Sequence, residues 1–571
     1  MTRLQTLAVL IAVLWGVVLL RAVGFAARSG ELQRSAVRQR LVADEIDAEP
    51  GRLTDRNGRV LAVSQRRLSV AVNPSRIDDP KTFAAVIGPV LQLEPEAIER
   101  TLRTHADKRF RWLRRQVDDA TESRLQPLEL TAGTLELRRE WDRIYPHGPL
   151  ASHLLGFRDI DHAPRDGLER RYDAELTGRT GRQVRVSDSR GATLSLLDRV
   201  AQPPQNGQTI RLAIDAGVQA IAARELDAVV QTFEPAWAAA VVIDVPSSSL
   251  LAIETRPTFD PNRPAAAATA GRNHAAQTAV EPGSTVKPLL VAAALDAGLV
   301  DVATVIDCGT GHETIAGREV RDSHAVGRVR LAEVLVESSN IGAVRVARRL
   351  GRPNVWSTLD RFGFGQSPPV LPSIGRPGQL VPVEGWSDFS LASHAMGYET
   401  TITPLGLASA YATLARDGER RPLRLRADDI AVQTEPTHIV TAETARWLRT
   451  GPLTEVVRRG TASRAWAPGP VVWGKTGTAQ KYDRELGRYV HDRATCLFVG
   501  GIPADRPRLV VALVVDAPTT GPGTAGGSVA APAAGRLLRD TLTLLRAQDA
   551  TRRSEADGGS IAERPIEAAA R

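Results

Sequence analysis

Residues 281–288 read Glu281-Pro282-Gly283-Ser284-Thr285-Val286-Lys287-Pro288 and lead into an apolar run, residues 289–295, that has no polar face. A helix that is apolar all round is a buried one. Pro282 and Gly283 mark a turn into its start, so Ser284 is expected at a helix N-terminus, where free N–H groups favour developing negative charge. Lys287 falls three residues on, on the same face. A serine hydroxyl is a poor nucleophile until a base takes its proton, and an amine with an ordinary pKa of about 10.4 can serve only once burial lowers it. The bland alternative is an N-cap serine beside a surface lysine. The pair alone does not separate the two readings.

Two further clusters and the lysine inventory do. The chain carries 73 Lys+Arg, but lysine stands only at positions 81, 108, 287, 475 and 481. Lysine can lose its proton where arginine cannot, so a lysine retained in a chemically suggestive place carries weight. One lies in Gly474-Lys475-Thr476-Gly477-Thr478, within a strand expected over residues 471–479. A Lys-Thr-Gly tripeptide arises by chance about 0.03 times in a chain this poor in lysine. Glycine in an edge strand lets another backbone approach closely. Lys475 and the hydroxyls of Thr476 and Thr478 would offer a substrate carboxylate one charge and two donors, and the Thr478 N–H would help polarise a carbonyl. The other cluster, Ser338-Ser339-Asn340, is expected at a loop tip between helices over 331–337 and 341–350. Its hydroxyl and amide would relay a proton and hold a substrate amide, or simply cap a helix.

The rest of the chain bounds the answer. At about 100–200 residues per domain, 571 residues imply at least two domains. With 43% hydrophobic and 24% charged residues, most of the chain is expected to fold in water. The net charge of +8 comes without a long basic run, which argues against nucleic acid as a partner. Cys308 and Cys496 lie 188 residues apart without metal-ligand spacing and are read as two isolated thiols.

Residues 4–25 are apolar over about 20 residues, enough to cross a bilayer as a helix. We read them as an uncleaved anchor with the bulk of the chain outside the cytoplasmic membrane. A cleavable signal ending near Gly24-Phe25-Ala26 is the rival. Arg28, Arg34, Arg38 and Arg40 follow the helix and only Arg3 precedes it, against the positive-inside bias, which weakens when a long domain is translocated.

Beyond the anchor, residues 26–205 are Arg- and Glu-rich with short strand-like and helical pieces. A turn-forming break at Pro203-Pro204-Gln205-Asn206-Gly207 opens a second region, 206–546, with strands expected over 209–214, 238–245, 471–479, 495–500 and 509–515 and helices between, at 289–295, 331–336 and 404–414. Strands from both ends with helices between them make an α/β sandwich. The polar residues 547–571 are expected to be a disordered tail.

EPGSTVKP, ESSN and GKTGTAQK occur in the order found in penicillin-binding proteins and class A β-lactamases. Together with TDRNGRVLAVS from residue 54, RIYPHG from 143, DGLERRYDAELTGRTG from 166, TFDPN from 258 and GGSVAAPAAGRLL from 526, the chain resembles the class B penicillin-binding proteins of the division type, the penicillin-binding protein 3 type. The resemblance implies an α+β multidomain chain: a transmembrane anchor (1–25), a non-catalytic pedestal of the dimerisation type (26–205) and a transpeptidase α/β sandwich (206–546). It implies that Ser284 attacks the penultimate D-alanine of a peptidoglycan stem peptide and that Lys287 is its base. Ser338 would pass a proton to the leaving amine, Asn340 would orient Lys287 and the donor peptide, and Lys475 would hold the network and the substrate's charge. Thr476, Gly477 and Thr478 would form the substrate-binding strand, and the N–H groups of Ser284 and Thr478 the oxyanion hole. No cofactor or metal is implied. The implied partners are stem peptides ending in D-Ala-D-Ala, β-lactams, and a polytopic lipid II polymerase with other divisome membrane proteins. An elongation-type transpeptidase and a β-lactam-binding divisome scaffold without catalysis are the alternatives. The chain departs from the family's usual pattern at Val245-Pro246-Ser247-Ser248-Ser249 and at His394-Ala395-Met396-Gly397-Tyr398.

Overall fold

The computed structural model describes residues 3–128, 133–186, 199–371, 374–429, 437–483, 485–521 and 523–559. The chain forms two compact units, Met1–Arg52 with Ala174–Thr209, and Leu53–Asp173 with Ile210–Arg571.

The first unit begins with a helix, Arg3–Arg40, longer than the apolar segment that predicts it. Its stretch Gln5–Gly24 has a mean hydropathy of 2.4, buries no residue, and is long and apolar enough to cross a membrane. Strands Leu41–Ile46, Gly181–Val186 and Arg199–Gln202 follow as a three-stranded antiparallel sheet in that order.

In the second unit a five-stranded antiparallel sheet is assembled from strands far apart in sequence: β1 (Trp237–Asp244), β2 (Ser249–Arg256), β3 (Trp473–Asp483), β4 (Arg488–Ile502) and β5 (Leu509–Asp516). The order across the sheet is β2-β1-β5-β4-β3, which leaves β3 at an edge. Every residue of β1 and β5 is buried, as strands covered on both faces require. Helices α1 (Ala216–Phe233), α2 (Lys287–Asp296), α3 (Leu331–Val336), α4 (Asn340–Leu350), α5 (Pro404–Ala415) and α6 (Gly526–Gly559) surround it. Val218, Leu226, Val229, Leu537 and Leu538 of α1 and α6 share one core with Val242, Val511 and Leu513 of the sheet, and α5 also packs against β1 and β5. This is the expected sandwich.

The same compact unit contains a second sheet, Arg111–Val117, Val60–Val72, Leu53–Thr54 and Ile210–Arg211, with Leu135–Ile144 paired to Val60–Val72. Helices Pro80–Leu91 and Pro95–Thr104 bury Ile87, Leu91, Ile98 and Leu102 against Val70 and Val72. Two of the quoted sequence motifs serve structure here. Buried Glu169 accepts from Arg143 Nε and Arg158 Nε at 2.7 Å each. Asp55 Oδ1 accepts from the N–H groups of Asn57 and Arg59, closing the Asn57-Gly58 turn.

Two expectations are corrected. The strand expected over 209–214 pairs regularly only at Ile210–Arg211, because Asp215 turns the chain by capping α1, its side chain accepting from the N–H groups of Gly217 and Val218. The tail expected from residue 547 is instead helical to Gly559. Arg508 Nη1 lies 3.5 Å from Asp549, and Arg552 donates to Asn57 Oδ1 at 2.8 Å, so contacts to the body of the unit support a polar helix. Residues 560–571 lie outside the described residues, as do 129–132 and 187–198 of the region expected to be the pedestal.

Candidate active site

Ser284 lies in a 3-10 turn, Gly283–Val286, that feeds α2. The turn is fixed from three sides. Thr285 donates its hydroxyl to Pro282 O at 2.8 Å, Tyr411 OH of α5 donates to Thr285 O at 2.9 Å, and the Gly283 N–H donates to Gly397 O at 3.1 Å. Gly397 has φ +83, and a Cβ there would fall 2.0 Å from Gly283 O, so the departure segment His394–Tyr398 abuts the serine turn directly. Glu281 stands beside it, accepting from Tyr489 OH at 2.8 Å and from the Glu399 N–H at 3.0 Å, and burial raises its pKa.

Lys287 and Lys475 are both 0% exposed, and both point to Ser338. Lys287 Nζ donates to Ser338 O at 2.5 Å and to Asn340 Oδ1 at 2.7 Å. Lys475 Nζ donates to Ser338 Oγ at 2.9 Å. The three sequence clusters therefore meet on one serine. Ser338 has φ +58, a left-handed conformation that costs a non-glycine residue about 1–3 kcal/mol and recurs at functional sites. Burial pushes the Lys287 amine down to about 7, with Asp322 pulling the other way. Burial and the neighbouring Lys287 hold Lys475 well below the ordinary lysine range. Two ammonium groups on one serine oppose each other, so Lys475 is not the plain fixed charge that its sequence context suggests.

β3 lies against the serine turn because Gly477 has no side chain. A Cβ there would meet Pro282 O at 2.6 Å and Thr285 Cγ2 at 3.1 Å. The room made by this glycine is thus filled by the protein's own turn. Thr478 stays exposed to the cavity, its Oγ1 accepting from the Gly526 N–H at 2.9 Å, and Thr476 Oγ1 lies 2.7 Å from Thr461 Oγ1. Ser284, Ser338, Asn340, Thr476 and Thr478 line one cavity of about 430 Å³.

Sequence reasoning missed the residues that hold these in place. Asp322 Oδ2 accepts from Ser339 Oγ at 2.6 Å, while its Oδ1 accepts from the N–H groups of Asn340 at 2.5 Å and Ile341 at 3.2 Å. Asn340 Nδ2 donates to Arg321 O at 2.7 Å. The segment at 321–322 therefore fixes the start of α4 and the rotamer of Asn340. Among the described residues there is no cluster of side chains fit to hold a metal ion.

Residues 238–539 match the penicillin binding protein transpeptidase domain family, and residues 45–212 match the penicillin-binding protein dimerisation domain family. The chain is 31% identical over 508 residues to the probable peptidoglycan D,D-transpeptidase PenA of Neisseria gonorrhoeae, covering 88% of this chain and 85% of that one. It is 30% identical over 509 residues to the peptidoglycan D,D-transpeptidase FtsI of Escherichia coli K12, covering 88% and 84%. Among solved structures, a peptidoglycan synthetase from Bifidobacterium adolescentis superposes with a TM-score of 0.69 at 22% identity, over 89% of this chain and 97% of that one. Penicillin-binding protein 3 of Mycobacterium tuberculosis, complexed with aztreonam, superposes with a TM-score of 0.66 at 24% identity, over 87% and 97%. With both domain families matched in order and relatives aligned over most of their length, the chain belongs to the class B penicillin-binding proteins.

Proposed function

We propose that this chain is a serine D,D-transpeptidase that crosslinks peptidoglycan stem peptides through an acyl-serine intermediate and is acylated by β-lactams. The observation that carries the reading is the convergence of Lys287, Lys475 and Asn340 around Ser338, in the cavity that Ser284 lines. Ser284 Oγ attacks the carbonyl of the penultimate D-alanine as Lys287 takes its proton. The N–H groups of Ser284 and Thr478 receive the developing oxyanion. Ser338, hydrogen-bonded to Lys475, passes a proton to the leaving D-alanine amine. The amine of a second stem peptide then attacks the acyl-serine, forms the new amide and returns Ser284 to its free state.

In this reading residues 26–205 form the pedestal and 206–546 the catalytic domain. The helix containing Gln5–Gly24 anchors the chain in the cytoplasmic membrane, with the catalytic domain on the outer side, where crosslinking substrate is found. The division relatives support a septal role beside a polytopic lipid II polymerase and other divisome proteins.

The deciding experiment incubates the purified chain with a fluorescent penicillin and, separately, with polymerised lipid II, followed by mass spectrometry of the muropeptides. Wild type should label at Ser284, release D-alanine and yield crosslinked dimers, and Ser284→Ala should do none of these. Labelling that survives Ser284→Ala would sink the nucleophile assignment. Labelling without dimers would favour the scaffold reading. Depletion in cells should give filaments, whereas rounded cells that divide at normal frequency would indicate the elongation type.

A further inference from the structure

The cavity that holds Ser284 has two charged side chains on its wall, Arg464 and Glu337. Glu337 already faces a partner, its Oε2 lying 3.3 Å from His324 Nε2. Arg464 sits in the short 3-10 turn Ser463–Ala465, is exposed, and among the described residues makes no hydrogen bond, ion pair or ring contact. Its turn follows Thr461, whose hydroxyl lies 2.7 Å from the hydroxyl of Thr476. Arg464 therefore stands on the flank of β3 that presents Thr476 to the cavity. Lys287 and Lys475 are both 0% exposed, with their amines engaged at Ser338 and Asn340.

We infer that Arg464 supplies the fixed positive charge that receives the terminal carboxylate of the donor stem peptide, beside the hydroxyls of Thr476 and Thr478, and so makes the site prefer a free acid to an uncharged chain end. The inference rests on the transpeptidase reading and names the residue that reads one end of its substrate. Three properties support it. A guanidinium keeps its charge throughout the cycle, while Lys287 takes up and returns a proton. Its planar fork matches a carboxylate, and charge-assisted hydrogen bonds are about twice as strong as neutral ones. No partner among the described residues has to be displaced before a ligand binds. The competing view is that Arg464 is a solvated surface arginine with no ligand.

The test uses the purified full chain in detergent and an N-acyl-D-alanyl thioglycolate as donor, either with its carboxylate free or as the primary amide. Wild type, Arg464→Gln and Arg464→Lys are compared by kcat/KM on both compounds, with thermal melts confirming the fold. The acid-over-amide preference should fall about tenfold in Arg464→Gln, mainly through KM, and stay within about threefold of wild type in Arg464→Lys. A preference that is unchanged in Arg464→Gln would overturn the assignment. If wild type consumed neither compound and acquired no acyl group at Ser284, the transpeptidase reading would fall and this inference with it.

Discussion

Lys287 Nζ donates to Asn340 Oδ1 at 2.7 Å, and the same nitrogen donates to Ser338 O. A neutral amine has two hydrogens, and both are occupied here. What remains uncommitted on Lys287 is its lone pair, the feature that a base needs.

The first prediction follows from the Lys287 pKa of about 7. The second-order rate of acylation by a penicillin should rise about tenfold per pH unit below 7 and level off above it. Stability should change in the same sense. The folded pKa lies below the unfolded value of about 10.4, so the unfolded chain binds the extra proton between pH 7 and 10.4. The contribution of this group to stability is lowest below pH 7 and rises as pH climbs through that window, by about 4–5 kcal/mol in all. Melts of wild type and Lys287→Met across pH 6 to 10 isolate it: the stability of Met relative to wild type should be greatest at low pH and shrink as pH rises, and a relative stability that instead grows with pH would show the sign to be wrong.

Replacing either lysine by arginine should be severe, for different reasons. Lys287→Arg introduces a group that stays protonated, and acylation should fall by about 10³-fold or more. On sequence grounds Lys475→Arg should cost about 10- to 10²-fold, because arginine partly reproduces the charge and donors. Its position, 0% exposed and aimed at Ser338, puts the loss at the upper end, about 10²-fold, since the larger guanidinium must enter a packed site and remain charged beside Lys287. Acylation rates of both folded variants check this, and a near-normal rate in Lys287→Arg would remove it as the base.

Asp322 tunes the site without lining the cavity. Removing its charge in Asp322→Asn takes away the influence that raises the Lys287 pKa, so the acid limb of the pH–acylation profile should move to lower pH. Asp322→Ala also leaves the N–H groups of Asn340 and Ile341 without their acceptor and should cost about 1–3 kcal/mol in denaturant melts. A profile that stays in place in Asp322→Asn would show that its influence is mechanical only.

At Gly477 a single methyl group is enough to misplace the site. Gly477→Ala would bring Cβ to 2.6 Å from Pro282 O, a backbone atom that can move only with the serine turn. A loss of about 1–3 kcal/mol in stability and of at least tenfold in acylation is expected. Normal acylation in this variant would mean that the turn and β3 can separate without consequence.

That Lys287 and Lys475 stand in chemically suggestive places was legible because lysine is scarce. In a chain where arginine fills nearly every other basic position, Lys287 and Lys475 stand out, and the strand that carries Lys475 is apolar enough at its start to be placed within a few residues. Asp322, Thr461 and Arg464 were not legible, because each reaches the site from a segment whose local sequence is an ordinary turn or short helix, and the stretch with Gly397 stood out only as a departure from the family's pattern. Only long-range packing brings Asp322 beneath α4 or Gly397 against Gly283. The helix that runs on to Gly559 was missed for a related reason: polarity looks the same in a solvated tail and in a helix held by Asn57 and Arg508.

β3 is the last strand of its sheet and presents Thr476 and Thr478 to the cavity. A guest that joins such a margin is recognised through its own main chain, whose amides are alike in every peptide. Variation in the middle of a stem peptide would then pass largely unread, and discrimination would fall to its two ends. The architecture thus favours a tool that tolerates many wall chemistries, and for the same reason one that is easily deceived by any small rigid amide carrying the right acid.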